Sequence, residues 1–397
     1  MSNRTIVVKG VCELNSKTIR NTSQLETIKY LDTGNITRNI IDNIQHLSRS
    51  IAPFPSRAQR KVKHQTIIYS TVRPAQEHYG FLVKPENDLI VSTGFLTVDV
   101  RDKGIEPKFL YYTLTQKCIT NYLQTIATNN VSSYPSINPD DLGNLKFTIP
   151  NDKKVQQRIA EVLTTLDSKI ELNNRINAEL EAMAKTLYDY WFVQFDFPDK
   201  NGKPYKSSGG KMVWNEELKR EIPWGWEVKD LGDIMSLEYG KPLKDNVRSG
   251  KGYPVLGSNG IVGYHHAFLV KGPGVVVGRK GTAGAVLWVE DDFFPIDTTF
   301  YVSDKLGMNS LIYHYLLLLR SNIDKLKSGS AVPGLNRNLV YSIKIAVPKS
   351  SSIILFNKIV GTYFSNISNC IKQNQTLTTI RDFLLPMLMN GQVKVQI

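Results

Sequence analysis

Apolar residues recur in alternating steps of four and three along a segment that follows Pro150 and contains no Pro or Gly as far as residue 195. A 3.5-residue period places such positions on one seam of a helix, so we predict a single helix over residues 151–195. At 1.5 Å per residue, about 40 residues form a rod of roughly 60 Å. The seam positions are Ile159, Leu163, Leu166, Ile170, Asn173, Asn177, Leu180, Ala184, Leu187 and Trp191.

A second segment with the same spacing follows Pro348. It predicts another long helix over residues 350–397, bent or frayed at Gly361 and Pro386 because these residues weaken helices. Its seam positions are Phe356, Val360, Tyr363, Ile367, Cys370, Asn374, Leu377, Arg381, Leu384 and Leu388.

The two helices are expected to pair with each other as an antiparallel coiled coil. A two-fold relation between the copies requires opposite helix directions. Asn173, Asn177 and Asn374 interrupt the apolar seams, and such residues lower stability while fixing register. The alternative is that each helix packs only on its own domain. We favour pairing because the seams are longer than a globular helix needs.

The segments that lead into the two helices are also copies of one another. Residues 134–150 read YPSINPDDLGNLKFTIP and residues 332–348 read VPGLNRNLVYSIKIAVP. A chain that repeats one plan is suited to a partner that is itself bipartite. The aligned pairs, 198 residues apart, are Pro135 with Pro333, Asn138 with Asn336, and Pro150 with Pro348.

The regions before these copies mix strand-like and helix-like patterns. In the first we predict strands at 66–69 and 88–91 and a helix at 109–123. In the second we predict strands at 275–277 and 286–289 and a helix at 310–326. Residues 31–35 and 69–73 align with residues 256–260 and 275–279.

An α+β protein of five segments follows from these patterns. The predicted segments are a mixed domain at 1–150, the first helix at 151–195, a connector rich in Gly, Pro, Ser and Lys at 196–223, a second mixed domain at 224–349, and the second helix at 350–397.

The charge of the chain indicates a polyanionic partner. The net charge is +13 and the isoelectric point about 9.4. Cys12, Cys118 and Cys370 lack metal-type or disulfide-type spacing, which favours a reducing cytoplasm. We find no secretory leader and no apolar run long enough to span a bilayer, and therefore expect a cytoplasmic protein without membrane contact.

Two windows without any carboxylate give the strongest functional signal. Residues 43–76 and 246–289 contain no Asp or Glu but several cations, at comparable places in the two repeats. A surface that faces phosphates needs cations and must exclude anions. Ordinary solvated loops are the alternative, and the repeated position argues against it. The candidate DNA-binding residues are Arg57, Arg60, Lys61, Lys63, Thr71 and Arg73 in the first domain and Lys241, Arg248, Lys251, Ser258, Asn259, Arg279, Lys280 and Thr282 in the second.

Evidence for catalysis in the sequence is weak. There is no phosphate-binding G-x-x-x-x-G-K-[ST] loop, no dinucleotide G-x-G-x-x-G turn and no Asn/Asp-Pro-Pro-Tyr run of an adenine methyltransferase. Pro198-Asp199 followed by Glu217-Leu218-Lys219 fits a nuclease metal site, although no strand is predicted to present it. Trp191 and Phe192 fit core packing better than base stacking. We therefore predict no catalytic residue and no bound metal.

Two alternative functions stay open. The first is a DNA endonuclease, or a fused restriction–modification component, that uses the connector residues. The second is a coiled-coil adaptor for RNA or a membrane, which the lack of an aromatic–basic RNA motif and of Lys-rich amphipathic helices disfavours.

The layout resembles the specificity subunit of type I restriction–modification systems over nearly the whole chain. Its local motifs are GRKG at 278–281 with PIDTT at 295–299, LYDYWFVQFDF at 187–197 and IPWGW at 222–226. The resemblance implies two target recognition domains separated by two long antiparallel helices. Each domain would read one half of a split double-stranded DNA site.

Partners and cofactors follow from the same resemblance. It implies that the chain recruits two methyltransferase subunits, which bring S-adenosylmethionine, and that ATP-dependent restriction subunits with ATP and Mg²⁺ join the full complex. The chain itself would bind no cofactor. The family turn falls on Gly278–Gly281, so Arg279 and Lys280 are the favoured DNA contacts. The first domain departs here, since Thr71-Val72-Arg73-Pro74 keeps only the arginine.

Overall fold

A computed structural model describes residues 2–19, 25–130, 135–307, 310–329 and 333–395. Tyr134 and Val332, the first residues of the copied segments, lie outside these ranges. The chain divides into two compact units. Unit 1 comprises residues 1–171 and 374–397, and unit 2 comprises residues 172–373.

Unit 1 combines short strands with helices. Its strands are β1 (Asn3–Val7), β2 (Cys12–Leu14), β3 (Thr27–Leu31), β4 (Ile36–Thr37), β5 (Ile40–Ile41), β6 (Gln45–Ser48), β7 (Ala58–Lys61), β8 (Thr66–Ser70), β9 (Tyr79–Leu82), β10 (Leu89–Ser92), β11 (Phe95–Val100) and β12 (Lys146–Pro150). Its helices are α1 (Val8–Val11), α2 (Pro107–Leu114), α3 (Lys117–Asn130), α4 (Pro139–Gly143) and the first half of α5 (Lys153–Tyr188), with 3₁₀ turns at Thr33–Asn35 and Pro74–Gln76.

Unit 1 contains two four-stranded sheets. One has the order β2-β11-β8-β9 with antiparallel neighbours, and the other has the order β6-β3-β10-β7 with a parallel pair of β3 and β10. Every residue of β8 and β10 is buried, which explains their continuous apolar runs. β1 pairs antiparallel with β12, from Asn3 opposite Pro150 to Val7 opposite Lys146. The start of the chain therefore lies beside the first copied segment.

Unit 2 repeats this combination. Its strands are β13 (Met212–Asn215), β14 (Arg220–Pro223), β15 (Glu227–Asp230), β16 (Met235–Tyr239), β17 (Tyr253–Gly257), β18 (Gly260–His265), β19 (Gly274–Gly278), β20 (Val286–Val289), β21 (Phe294–Pro295), β22 (Thr299–Asp304), β23 (Lys327–Ser328), β24 (Gly334–Leu335) and β25 (Lys344–Val347). Its helices are α6 (Leu231–Ile234), α7 (Leu311–Arg320), α8 (Arg337–Tyr341) and the first half of α9 (Ser350–Met389), with 3₁₀ turns at Asp245–Val247 and Ile323–Leu326.

The sheets of unit 2 repeat the strand order of unit 1, except that the second sheet has three described strands instead of four. The main sheet has the order β16-β22-β19-β20, the equivalent of β2-β11-β8-β9. A second sheet has the order β18-β17-β21, in which β17 and β21 are parallel, as β3 and β10 are. β15 pairs antiparallel with β25, as β1 pairs with β12. The predicted α+β fold with an internal repeat is confirmed.

The long helices α5 and α9 contact each other in antiparallel directions. In unit 2, Asn173 donates to Gln373 at 3.2 Å, and the ring of Tyr188 lies 6.1 Å from that of Phe356. In unit 1, Arg381 donates to Asp167 at 2.9 Å. Along α5 the residue number rises while that of the α9 partner falls. The predicted pairing is confirmed, and α9 continues through Gly361 and Pro386.

Each of the two long helices also contributes side chains to the hydrophobic core of unit 1 and to that of unit 2. Ile159 and Leu163 of α5 pack in the core of unit 1 with Leu388 and Met389 of α9. In unit 2 the buried rings of Tyr188, Trp191, Phe192 and Phe356 meet one another. The core-packing interpretation of Trp191 and Phe192 is therefore confirmed.

Several predicted element bounds differ from the structure. The predicted helix at 109–123 is divided into α2 and α3, and that at 310–326 ends at Arg320 because Asn322 adopts a left-handed conformation with φ of +48°. The helix predicted at 151–195 starts at Lys153, and residues Asp189–Val193 form a π-helical turn. These differences arise at helix ends and turns, where periodicity carries little information.

The segment at 196–223 is more ordered than a simple connector. β13 and β14 form an antiparallel hairpin, from Met212 opposite Pro223 to Asn215 opposite Arg220. Phe195, Phe197 and Ile222 are buried in the core of unit 2. The expectation that this segment contains no strand was wrong, because its apolar residues pack on the unit. None of the described helices is long and apolar enough to cross a membrane.

Candidate nucleic-acid interface

Four loops of unit 2 converge at one edge of its sheets. The N–H groups of Arg279 and Lys280 donate to the carbonyl of Thr298 at 2.9 and 3.1 Å. Ser258 donates through its hydroxyl to the same carbonyl at 2.6 Å, and the N–H of Lys241 donates to Pro295 at 3.1 Å. We call this edge, formed by residues 239–241, 258–259, 279–282 and 295–298, rim 2.

The sharp turn at the centre of rim 2 depends on glycine. A Cβ atom on Gly278 would lie 2.2 Å from the carbonyl oxygen of Thr282, and one on Gly284 would lie 2.3 Å from the Cα of Asp324. Gly284 also has a positive φ of +85°, which favours glycine. These close approaches project Arg279, Lys280 and Thr282 from the end of β19. Within GRKG, Gly278 is therefore favoured by this close approach and Gly281 by its positive φ of +77°.

The side chains of rim 2 offer several polar groups to a partner. Lys241, Asn259, Lys280 and Thr282 are exposed. The guanidinium carbon of Arg279 lies 5.0 Å from the ring centroid of Tyr239. A surface of this composition can hold phosphates with its lysines and hydrogen-bond base edges with its arginine and amide groups.

Ser258, Arg248 and Lys251 fit the sequence prediction less well. Ser258 is buried and its hydroxyl is used within the protein. Arg248 donates to the carbonyls of Val262 and Leu243, pairs with Asp245, and has a side chain only 13% exposed. Lys251 is exposed, but it precedes β17 and so lies at the end of that strand away from Ser258. Rim 2 therefore contains Lys241, Ser258, Asn259, Arg279, Lys280 and Thr282 but neither Arg248 nor Lys251.

Unit 1 has an equivalent edge, rim 1, formed by residues 33–34, 71–73 and 94. The N–H of Thr71 donates to Gly94 at 2.9 Å, and the carbonyl of Thr71 accepts from Ile137 at 2.8 Å. A cavity of about 200 Å³ at this edge is lined by Thr33, Gly34, Ser70, Val72, Arg73, Gln76 and His78. Arg73 is exposed there with a positive φ of +45°.

The backbone hydrogen bonds correct the alignment of the two rims. Arg279 donates to Thr298 and accepts from Leu335, which is the pattern of Thr71 with Gly94 and Ile137. Thr71 is therefore the equivalent of Arg279, and Arg73 is the equivalent of Gly281. The sequence alignment of Arg73 with Arg279 was wrong by two residues, because it matched side chains and ignored strand register.

The remaining candidates of unit 1 differ in how their charge is used. Arg57 and Lys61 are exposed, and the carbonyl of Arg57 accepts from Thr93 beside rim 1. Arg60 donates to the Thr18 hydroxyl at 2.8 Å, and burial lowers its pKa. Lys63 lies 3.4 Å from the buried carboxylate of Asp99. The cations of Arg57 and Lys61 are the better placed of the four for an external anion.

The DNA-binding candidates chosen from the sequence did not include Tyr239 and Asp297 of rim 2 or Arg337 beside it, although Asp297 belongs to the PIDTT motif. Tyr239 is half-exposed, and the guanidinium carbon of Arg337 lies 5.0 Å from its ring centroid. Asp297 is an exposed carboxylate whose backbone carbonyl accepts from Arg279 at 2.7 Å. All three lie outside the acid-free window, and the alternation of β16 is the only sequence signal that places Tyr239 at a strand end.

The proposed nuclease residues are occupied by other interactions. Asp199 accepts from the backbone N–H groups of Asn201 and Lys203. Glu217 pairs with Lys344 at 2.8 Å, and Lys219 pairs with Glu216 at 3.0 Å. No group of three metal-ligating side chains occurs in the part of the chain that the structure describes. Nothing in this geometry supports the endonuclease alternative.

The seam asparagines occupy different environments. Asn173 is fully buried and Asn177 is half-buried on α5. One hydrogen-bond partner of Asn173 is Gln373 of α9. The role of Asn173, Asn177 and Asn374 in setting the helix register stays a prediction.

Comparison with known proteins identifies the family. The model of the type I restriction modification DNA specificity domain matches residues 4–182 and 223–380. The chain is 26% identical to the HindI specificity subunit of Haemophilus influenzae, over 92% of this chain and 94% of that protein. It is 27% identical to the MjaIX specificity subunit of Methanocaldococcus jannaschii, over 80% and 76% respectively.

A solved structure agrees in fold. The S subunit of a type I restriction–modification system from M. genitalium superposes with a TM-score of 0.59 at 18% identity, covering 98% of this chain and 96% of that one. With the family model matching most of the chain in two segments, the protein belongs to the type I restriction–modification DNA specificity family, a non-catalytic DNA recognition component of these systems.

Proposed function

We propose that this chain reads a bipartite DNA target, one half-site through rim 1 and the other through rim 2. The single observation that carries the proposal is the occurrence of topologically equivalent rims in both units with different side chains. Thr71 of rim 1 stands where Arg279 stands in rim 2, so the half-sites differ in sequence. Of the predicted contacts, the proposal relies most on Arg57, Lys61 and Arg73 in unit 1 and on Lys241, Asn259, Arg279, Lys280 and Thr282 in unit 2.

The same proposal assigns the partners. The helix pair recruits two methyltransferase subunits that hold S-adenosylmethionine, and restriction subunits that use ATP and Mg²⁺ join the full complex in the cytoplasm. The relatives named above as specificity subunits of restriction enzymes support this assignment. The boundaries proposed for the recognition domains remain 1–150 and 224–349, and the proposed helical segments 151–195 and 350–397 contain α5 (Lys153–Tyr188) and α9 (Ser350–Met389).

A methylation map tests the proposal. The chain is co-expressed with a type I methyltransferase subunit that forms a complex with it, in a host without other adenine methylation, and modified sites are sequenced. We expect one gapped motif. In an Arg279→Ala, Lys280→Ala double variant, only one half of the motif should become degenerate, because each base contact is worth about 1–3 kcal/mol of discrimination.

The control is the double variant Lys219→Ala, Lys229→Ala, which removes two paired lysines of unit 2 that lie outside the rim. It should leave the motif unchanged. An ungapped motif, or simultaneous loss of both halves in the rim 2 variant with normal folding, would refute the assignment of one half-site to each rim.

A further inference from the structure

Tyr239 holds two arginines at rim 2. The guanidinium carbons of Arg279 and Arg337 each lie 5.0 Å from its ring centroid, and the ring itself rests on Phe300 at 5.0 Å. Tyr239 is the last residue of β16 and pairs with Phe300 of β22, so the sheet fixes its position. Stacking on an aromatic face restricts a guanidinium that would otherwise be flexible.

Backbone carbonyls fix each guanidinium at one nitrogen only. Nη1 of Arg279 donates to Asp297 at 2.7 Å, and Nη1 of Arg337 donates to Leu237 at 3.4 Å. Among the described residues, the Nε and Nη2 atoms of Arg279 have no hydrogen-bond partner, and neither atom is buried. These two atoms form the side edge of the guanidinium, which can donate two parallel hydrogen bonds.

A held arginine with one unused edge is suited to guanine. Guanine presents the adjacent acceptors O6 and N7 in the major groove, and arginine contacts them in a bidentate manner. Adenine presents a donor beside N7, so it satisfies only one of the two N–H groups. Because Arg279 is already restricted by Tyr239 and Asp297, less side-chain entropy is lost on binding.

Unit 1 lacks every part of this arrangement. Thr71 is the equivalent of Arg279, and Pro139 follows Asn138 where Arg337 follows Asn336. Leu14 of β2 and Leu237 of β16 occupy equivalent positions in their sheets. Ser16, two residues after Leu14, is therefore the equivalent of Tyr239, and its hydroxyl donates to Asp99. Among the described residues, the arrangement therefore occurs at rim 2 and not at rim 1.

We infer that the half-site read by unit 2 contains a guanine whose O6 and N7 accept from Arg279, with Tyr239 as the residue that positions the arginine. This inference rests on the proposed function, since it needs rim 2 to face the major groove. It assigns one base of that half-site and the atoms of Arg279 that contact it.

Atomic substitution in the DNA provides the test. Once the motif is mapped, the complex of the chain with its methyltransferase is titrated with duplexes in which each guanine is replaced in turn by 7-deazaguanine, which lacks N7. At one guanine of the unit 2 half-site we expect a loss of affinity of about 5-fold or more. In the Arg279→Ala complex the same substitution should change affinity less than about 2-fold, because the contact is already absent.

Tyr239 is tested through this coupling. Tyr239→Leu removes the ring and should reduce the 7-deazaguanine effect several-fold, whereas Tyr239→Phe keeps the ring and should retain it. Tyr122→Leu, at an exposed tyrosine of unit 1, is the matched control. A positioning role is refuted if Tyr239→Leu leaves the 7-deazaguanine effect intact.

Two outcomes separate this inference from the proposed function. Salt-sensitive, sequence-specific binding that tolerates 7-deazaguanine at every guanine would overturn the guanine contact and leave the proposed function standing. Absence of specific binding by the folded wild-type complex would overturn both.

Discussion

A buried polar cluster connects two elements of unit 2 through single residues. The hydroxyl of Ser310 donates to Asp304 Oδ1 at 2.8 Å, and Nε2 of His314 lies 2.8 Å from the same oxygen. Ser310 and His314 are fully buried. Asp304, Ser310 and His314 therefore form a structural junction between β22 and α7. Because Ser310 is buried and donates to the carboxylate, it is not a catalytic nucleophile.

Replacing Asp304 by Asn should destabilise the chain in a pH-dependent manner. Burial alone raises the pKa of Asp304, but hydrogen bonds from His314, Ser310 and the Leu306 N–H hold it below its usual range. A lowered folded-state pKa adds stability that is complete above the unfolded value of about 3.9 and is lost as pH falls through the folded value.

We therefore expect a cost of about 2–4 kcal/mol at pH 7, shrinking below about pH 4. Urea unfolding followed by tryptophan fluorescence at several pH values measures it. Asp291→Asn, whose carboxylate is 65% exposed, should cost less than about 0.5 kcal/mol. An equal cost at pH 7 and pH 3 would contradict the ionic origin.

The helix pair shows what sequence periodicity can and cannot predict. Leu163, Ala184, Phe356 and Val360 all lie on the predicted seams and are fully buried. Helix existence, pairing and direction followed from these local repeats. The π-helical turn at Asp189–Val193 and the burial of the seam ends in the unit cores did not, because they depend on residues far away in sequence.

Phe356→Ala should destabilise unit 2 strongly. Its ring is fully buried and lies 4.9 Å from the ring of Phe192 and 5.6 Å from that of Trp191. Truncation removes these contacts and leaves a cavity, so we expect a loss of about 3–5 kcal/mol in the free energy of unfolding. Thermal and urea denaturation measure the change.

Phe383→Ala on the same helix is the matched control. Phe383 is 65% exposed, and its truncation in the isolated chain should change stability by less than about 0.5 kcal/mol. Similar losses for the two variants would mean that the antiparallel seam is not where α9 is stabilised.

At the scale of the molecule, the sequence predicted the repeat better than the site. Both units share the order of their main sheet, as the copied segments indicated. The acid-free windows located Arg279 and Lys280 but also included Arg248, whose charge is used internally, and excluded Tyr239 and Arg337. A window in sequence samples both ends of each strand, whereas a binding edge contains only one end.

The net charge of +13 makes salt dependence the final test of how the molecule holds DNA. Each phosphate contact releases condensed counterions, so the logarithm of affinity falls with the logarithm of salt concentration by about 0.9 per contact. Lys280 is exposed beside Arg279, and we propose that it holds a phosphate. Lys280→Ala should reduce the slope by about 1 and weaken binding to all sequences alike, whereas Arg279→Ala should mainly reduce discrimination.

Lys219→Ala, whose charge is paired with Glu216, is the control and should leave the slope unchanged. Fluorescence anisotropy of the methyltransferase complex between about 50 and 300 mM salt measures the slopes of all three variants. An unchanged slope for Lys280→Ala would show that rim 2 does not contact the DNA backbone at this residue.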